Sequence, residues 1–247
     1  MNNLVEICCG SYYDAKQAFL GGADRIELNS SLFLGGLTPS IASLELIKED
    51  FDLNTICMVR PRGAGFLYNN EDKKVMFKDA KALLKANADG IAFGFLNENK
   101  TIDIENTRKM VDIIKSFDRK KEAVFHRAFD CVKNPYEAIE QLIDLGIDRL
   151  LTSGLKNKAF EGIALIKDLN DKYGDKIEIL AGSGINYENA KEIIEKTGIN
   201  QIHSSCKSFI QDAATSSENV SYAYLDNENK YDVVCLELVK KLVDSVK

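Results

Sequence analysis

The chain has 247 residues, 45% hydrophobic and 28% charged, with a net charge of −6. This is an ordinary globular composition, long enough to bury a sizeable core and suited to one large domain or two small ones. The negative balance, with no Lys/Arg cluster flanked by aromatics, argues against nucleic acid and anionic membrane surfaces as partners.

No stretch approaches the ~18 apolar residues that a membrane span needs. Residues 1–6 have neither a basic n-region nor a long apolar run, so no signal peptide is expected there. A cytoplasmic protein follows as the expectation, with its cysteines (8, 9, 57, 131, 206 and 235) as reduced thiols. None of them forms a CxxC pair, which argues against a structural zinc site.

In chain order, the first predicted strand is 4–9. Ser11 then caps a helix that buries Ala15, Ala18 and Phe19 and stops at Gly21-Gly22. A recurring unit follows: a break residue, one residue, Asp or Asn, one residue, then an apolar run. It begins at Gly22, Asn87, Gly146 and Gly198, spaced by 65, 59 and 52 residues. The break residue reads as a left-handed helix end and the run as a buried strand. Each spacing is about two βα units of roughly 30 residues, so four copies imply eight strands.

The odd strands fall between them, at 4–9, 55–60, 123–128 and 177–181. Thr38-Pro39 and Asn134-Pro135 each read as an N-cap followed by Pro at the first helical position. Asn186 reads as the cap of a helix containing Ala190, Ile193 and Ile194, and the last helix is placed at 232–243. Strict alternation implies a parallel sheet, and eight units favour a single (β/α)8 TIM-type barrel over residues 1–247 rather than an open sheet. Residues 208–229, rich in Ser, Asn and Asp, read as a long loop between the eighth strand and last helix, either a lid or a disordered insertion.

Buried parallel strands should be continuously apolar, so charges near their ends are informative. Glu6, Glu27, Arg60, His126 and His203 are such residues, and the two histidines are all that the chain has. Period two puts Cys8 beside Glu6, Asn29 beside Glu27 and Ser205 beside His203. Acid–base chemistry would use Glu6 or Glu27 as base, His126 or His203 as acid and Arg60 as an anion clamp. A glutamate here can instead be half of a structural ion pair with Arg60. Arg25, Arg127 and Arg149 are expected on outer surfaces or in loops. Gly182 and Gly184 open the seventh loop, and together with Ser204, Ser205 and Arg62 they are candidate anion binders; a glycine turn without a ligand is the alternative.

The strings Glu6-Ile-Cys8, Gly22-Ala-Asp-Arg-Ile-Glu-Leu28, Gly35-Gly-Leu-Thr-Pro-Ser40, Arg60-Pro-Arg-Gly63, Phe125-His-Arg-Ala-Phe-Asp130, Leu151-Thr-Ser-Gly154 and His203-Ser-Ser205 resemble the CutC family, in the same order across nearly the whole chain. The resemblance implies a cytoplasmic barrel, a homo-oligomer such as a dimer or tetramer, and a role in copper homeostasis with Cu(I) binding. Some members place thiols at the positions of Cys8 and Asn29; this chain keeps Cys8 as the candidate metal ligand and departs at Asn29. Two functions therefore stand side by side. One is a copper-binding protein using Cys8, with Cys9, Cys206 or His203 as further donors. The other is an isomerase- or lyase-type enzyme for a small anionic or sugar-like metabolite, which requires no cofactor. A non-catalytic scaffold accounts least well for a charged barrel mouth.

Overall fold

A computed structural model describes residues 3–226 and 228–247. Eight parallel strands close into a barrel in sequential order: β1 (Leu4–Cys9), β2 (Arg25–Leu28), β3 (Asn54–Met58), β4 (Gly90–Phe93), β5 (Glu122–Phe125), β6 (Arg149–Thr152), β7 (Glu178–Gly182) and β8 (Gln201–Ser204). Helices α1 (Tyr12–Leu20), α2 (Ile41–Asp50), α3 (Asn70–Lys85), α4 (Ile104–Phe117), α5 (Pro135–Asp144), α6 (Ile163–Tyr173), α7 (Ala190–Thr197) and α8 (Leu236–Val246) surround it. The (β/α)8 expectation is met.

The recurring sequence unit has a physical cause. Gly22, Asn87, Gly146 and Gly198 all take φ between +68° and +83°, the left-handed turn that ends a helix. The Asp two residues on then clasps the preceding odd strand. Asp24, Asp89 and Asp148 each accept the backbone N–H of Val5, Thr55 and Ala123 at 2.9, 2.8 and 2.7 Å. Each returns its own N–H to the carbonyl of that same residue. Asp148→Ala should therefore cost about 1–3 kcal/mol in denaturant unfolding, because the N–H of buried Ala123 is left without a partner; an unchanged midpoint would show that the clasp is dispensable.

Alternation along the strands divides the core in two. Val5, Ile7, Cys9, Ile26, Leu28, Cys57, Phe93 and Phe125 belong to the main cluster between strands and helices. Ile56, Met58, Ala92 and Val124 form a separate small cluster on the inner face. The rest of that inner face is largely polar.

Several local expectations need correction. Strands β3 and β5 end before Arg60 and His126, which lie in the loops just past the strand ends. Phe19 is exposed and packs on Phe51 with ring centroids 5.1 Å apart. Helix α2 starts at Ile41 under Ser40, while the Thr38 hydroxyl accepts the Arg60 backbone N–H at 3.0 Å. Asn186 organises a turn before α7, accepting from the Glu188 N–H. Ser11 and Asn134 cap as expected.

The 208–229 stretch is not all loop. Strands β9 (Lys207–Gln211) and β10 (Lys230–Val234) pair antiparallel into a ribbon, so the final helix begins at Leu236 rather than at 232. The aromatic and β-branched residues Phe209, Ile210, Tyr231, Val233 and Val234 carry the strand propensity. Asp14 of α1 accepts the Val234 N–H at 2.7 Å, tying the ribbon to the barrel wall. No helix among the described residues is long and apolar enough to cross a membrane.

Candidate functional site

The inner face carries a ladder of charge from bottom to mouth. At the N-terminal end, Arg149 pairs with Glu122 and, at 2.9 Å, with Glu178. Gln201 Oε1 accepts from Arg149 at 3.1 Å and from Arg25 at 2.9 Å. Arg25 in turn pairs with Glu6. Arg25 and Arg149 are therefore buried inside the barrel, not placed outside as expected. Arg25 shares the parity of Glu27, and that signal was legible. Arg127 opens the 3-10 turn after β5, outside the barrel strands, bonded to Asp130 and Ser153.

Glu6 links this base to the mouth. One carboxylate oxygen meets Arg25, and the other meets His203 Nδ1 at 2.7 Å. Burial would raise its pKa, but Arg25 and His203 outweigh burial and hold the carboxyl far below the usual carboxylate range. Glu6 does not line the mouth cavity, so in place of a base it is a fully engaged anion that orients His203. It pairs with Arg25, not with Arg60.

The mouth is a cavity of ≈ 450 Å³ lined by Cys8, Glu27, Asn29, Arg60, His126 and His203 among others. Lys207 at the base of the ribbon, Phe66 and Leu32 also line it, and nothing in the pattern of the barrel strands marks these residues. Burial would lower the His203 pKa; the Cys8 sulfur and the Glu6 carboxylate prevail and hold it well above the ordinary value. With Nδ1 on Glu6, Nε2 is the nitrogen left for the cavity. Cys8, Glu27 and His203 bring one donor atom each within 4.8 Å of one another. Burial raises the pKa of both Cys8 and Glu27, opposed in each case by His203. Asn29 Nδ2 donates to Glu27 Oε2 at 3.0 Å and approaches Cys8 Sγ at 3.5 Å. Asn29 thus orients both candidate ligands without being a thiol itself. Gly36, at φ +83°, lies against Asn29, where an added Cβ would sit 2.4 Å from Oδ1.

His126 is a different kind of histidine. Its Nδ1 accepts the Ala128 N–H at 3.1 Å, capping the short 3-10 turn after β5. The proton of the neutral ring therefore resides on Nε2. Burial, then the Arg60 charge, lowers its pKa to about 3. It is a neutral donor at pH 7, not the acid expected. Gly94 makes room for it, since a Cβ there would sit 2.6 Å from His126 Cε1.

The His126 pKa predicts acid sensitivity. A histidine whose folded pKa lies below its unfolded value of 6.5 contributes stability above pH 6.5 that is lost as pH falls toward about 3. The slope from this group is roughly 1.4 kcal/mol per pH unit in that window. His126→Asn keeps an acceptor for Ala128 and removes the titration. Its unfolding free energy should fall less steeply than wild type from pH 6.5 to 4.5; parallel curves would refute the assignment.

The anion candidates are split. Gly184, Ser204 and Ser205 line the cavity, and Gly182 packs just beneath against Leu151 and His203. Ser204 spends its hydroxyl on the Ile185 carbonyl at 2.6 Å. The α7 N-terminus is Ala190, too far along the chain for Gly184 to open the helix. Arg62 is outside the cavity; it binds Asp72 at 2.9 Å and the carbonyls of Gly63 and Leu67. Arg60 lines the cavity, but its two terminal nitrogens are anchored on the carbonyls of Leu34, Gly36 and Ala64. Cys9 and Cys206 are buried, and neither joins the Cys8 cluster.

The family model described as "CutC family" matches residues 3–208. The chain belongs to the CutC family. A family protein CutC of Treponema denticola is 42% identical, with both chains covered in full. The Homo sapiens copper homeostasis protein cutC homolog is 39% identical over 89% of this chain and 79% of its own length. The crystal structure of a Streptococcus agalactiae copper homeostasis protein CutC superposes with a TM-score of 0.76 at 30% identity, covering 82% of this chain and 98% of that one. The family model match ends at residue 208, while the Treponema denticola relative aligns over the full chain.

Proposed function

We propose that this CutC protein binds one Cu(I) ion at the barrel mouth through Cys8 Sγ and His203 Nε2, in the copper homeostasis role that its relatives' names state. The observation that carries this reading is the Cys8–Glu27–His203 cluster backed by Glu6. Ligand bonds of ~2.0–2.3 Å place two donors of one ion up to ~4.3 Å apart, and the three donor atoms lie within 4.8 Å of one another. A thiolate suits Cu(I), and a carboxylate on the far ring nitrogen is the usual support for a ligating histidine. Glu27 is a hard third donor at the margin of the site. In this reading the protein works in the cytoplasm as a dimer or tetramer. Anaerobic Cu(I) titration against a chromogenic chelator tests it: wild type should compete for one equivalent and Cys8→Ser should not, whereas equal competition by both would sink the site.

A second reading rests on the cavity itself, whose ≈ 450 Å³ exceeds what one ion needs. It makes the protein an isomerase- or lyase-type enzyme for a small anionic or sugar-like metabolite. Glu27, with its raised pKa, serves as base and His203 as acid, while Gly184, Ser205 and Lys207 receive the anion. A metabolite panel screened by thermal shift should yield a stabilising compound whose effect disappears in Glu27→Gln. Stabilisation that persists in that variant would count against the reading.

A further inference from the structure

Two buried donors beside the mouth have no acceptor among the described residues. Arg60 and His126 are 5% and 3% exposed, and both line the cavity. Arg60 Nε and His126 Nε2 are the atoms without a hydrogen-bond partner. Each is a donor of necessity. A guanidinium has no acceptor, and the Ala128 N–H on His126 Nδ1 leaves Nε2 to carry the proton. Each group is also held in place. Arg60 is anchored at its far end on three backbone carbonyls, and His126 is pinned between the Ala128 N–H and Gly94.

The two are neighbours. The Phe66 ring lies against both, 5.2 Å from the Arg60 guanidinium carbon and 4.9 Å from the imidazole centroid. A buried N–H without a partner costs about 1–3 kcal/mol, so two that flank Phe66 behind the lining of one cavity are a standing cost that a ligand oxygen reaching them past Phe66 would remove. One donor belongs to a permanent cation and the other to a neutral ring, which together favour a singly charged, planar oxygen over a metal or a cationic group. Neither residue belongs to the Cys8–Glu27–His203 cluster.

We propose that Arg60 Nε–H and His126 Nε2–H form a two-donor subsite for the carboxylate or enolate oxygen of a small organic acid, entering beside Phe66. The proposal rests on the second functional reading and names its substrate class. Glu27 lines the same cavity and is the protonatable carboxylate available to an acid bound there. The donors stabilise negative charge developing on the oxygen, as preorganised N–H groups do at an oxyanion.

Oxalate, a planar stand-in for an enolised α-oxo acid, is the probe, used with the full chain after chelator treatment. The chain has only two histidines, so ¹⁵N spectra resolve the ring nitrogens of each. Oxalate should shift His126 Nε2 and its proton while leaving Nδ1 capped. His126→Asn, which keeps the cap, should weaken oxalate about 10–100-fold, the usual loss of one hydrogen bond to a charged group. Oxalate binding that moves only His203 and is unweakened in His126→Asn would overturn the subsite while leaving the enzyme reading intact. No binding at millimolar oxalate in wild type would overturn it as well. The wild-type spectrum decides the question even if the variant folds poorly.

Discussion

Glu6→Gln should destabilise the protein by about 3–5 kcal/mol, the largest effect expected of any single substitution in the barrel interior. Glu6 is 2% exposed, and each of its oxygens meets a buried cationic group. The amide keeps the shape but leaves Arg25, 3% exposed, without its counter-charge. It also removes one of the contacts that raise the His203 pKa, the Cys8 sulfur being the other. The double variant Glu6→Gln/Arg25→Met should recover part of the loss, because removing the stranded cation removes most of the penalty. Denaturant unfolding measures both. A single-variant loss below about 1 kcal/mol, the value of an exposed pair, would show that the barrel interior is wetter than its burial implies.

Cu(I) affinity should fall in a definite order across the mouth variants. Cys8→Ser should lose at least about 100-fold, because the thiolate is the only soft donor in the cluster. His203→Gln should lose about 10–100-fold by removing the second donor, and Glu6→Gln a similar amount through loss of its support. Glu27→Gln should change Cu(I) affinity little, since a carboxylate adds little for a soft ion. The order of Cys8 and Glu27 would invert for a hard divalent ion such as Mn²⁺, which takes carboxylate oxygen in preference to thiolate. A titration in which Glu27→Gln hurts more than Cys8→Ser would therefore reassign the metal and refute the Cu(I) proposal.

The two histidines divide the chemistry between them. His203, backed by Glu6, is the charged or ligating ring; His126, backed by a backbone N–H and faced by Arg60, is the neutral donor. A single hydrogen-bond partner on Nδ1 separates the roles: an acceptor there favours the imidazolium, and a donor there forbids it.

The sequence by itself determined the barrel. Four left-handed break residues followed two positions on by Asp or Asn recur, and at three of them the Asp makes the same clasp on the preceding odd strand, a local constraint. It also placed Glu27, Cys8, Asn29 and His203 at the mouth, since strand periodicity alone puts them on the inner face. Only the tertiary structure decided what each charge does. The partner of Glu6 is Arg25 on the next strand, not Arg60, and the parity that places Arg25 inside says nothing about its height in the barrel. Arg62, four residues past the end of β3, turns to Asp72 on α3, which no periodicity reports. Residues 230–234 became a strand because pairing with 207–211 satisfied their backbone, a non-local choice that composition hid behind Ser, Asn and Asp. The tautomer of His126 follows from one backbone N–H that the fold delivers to it.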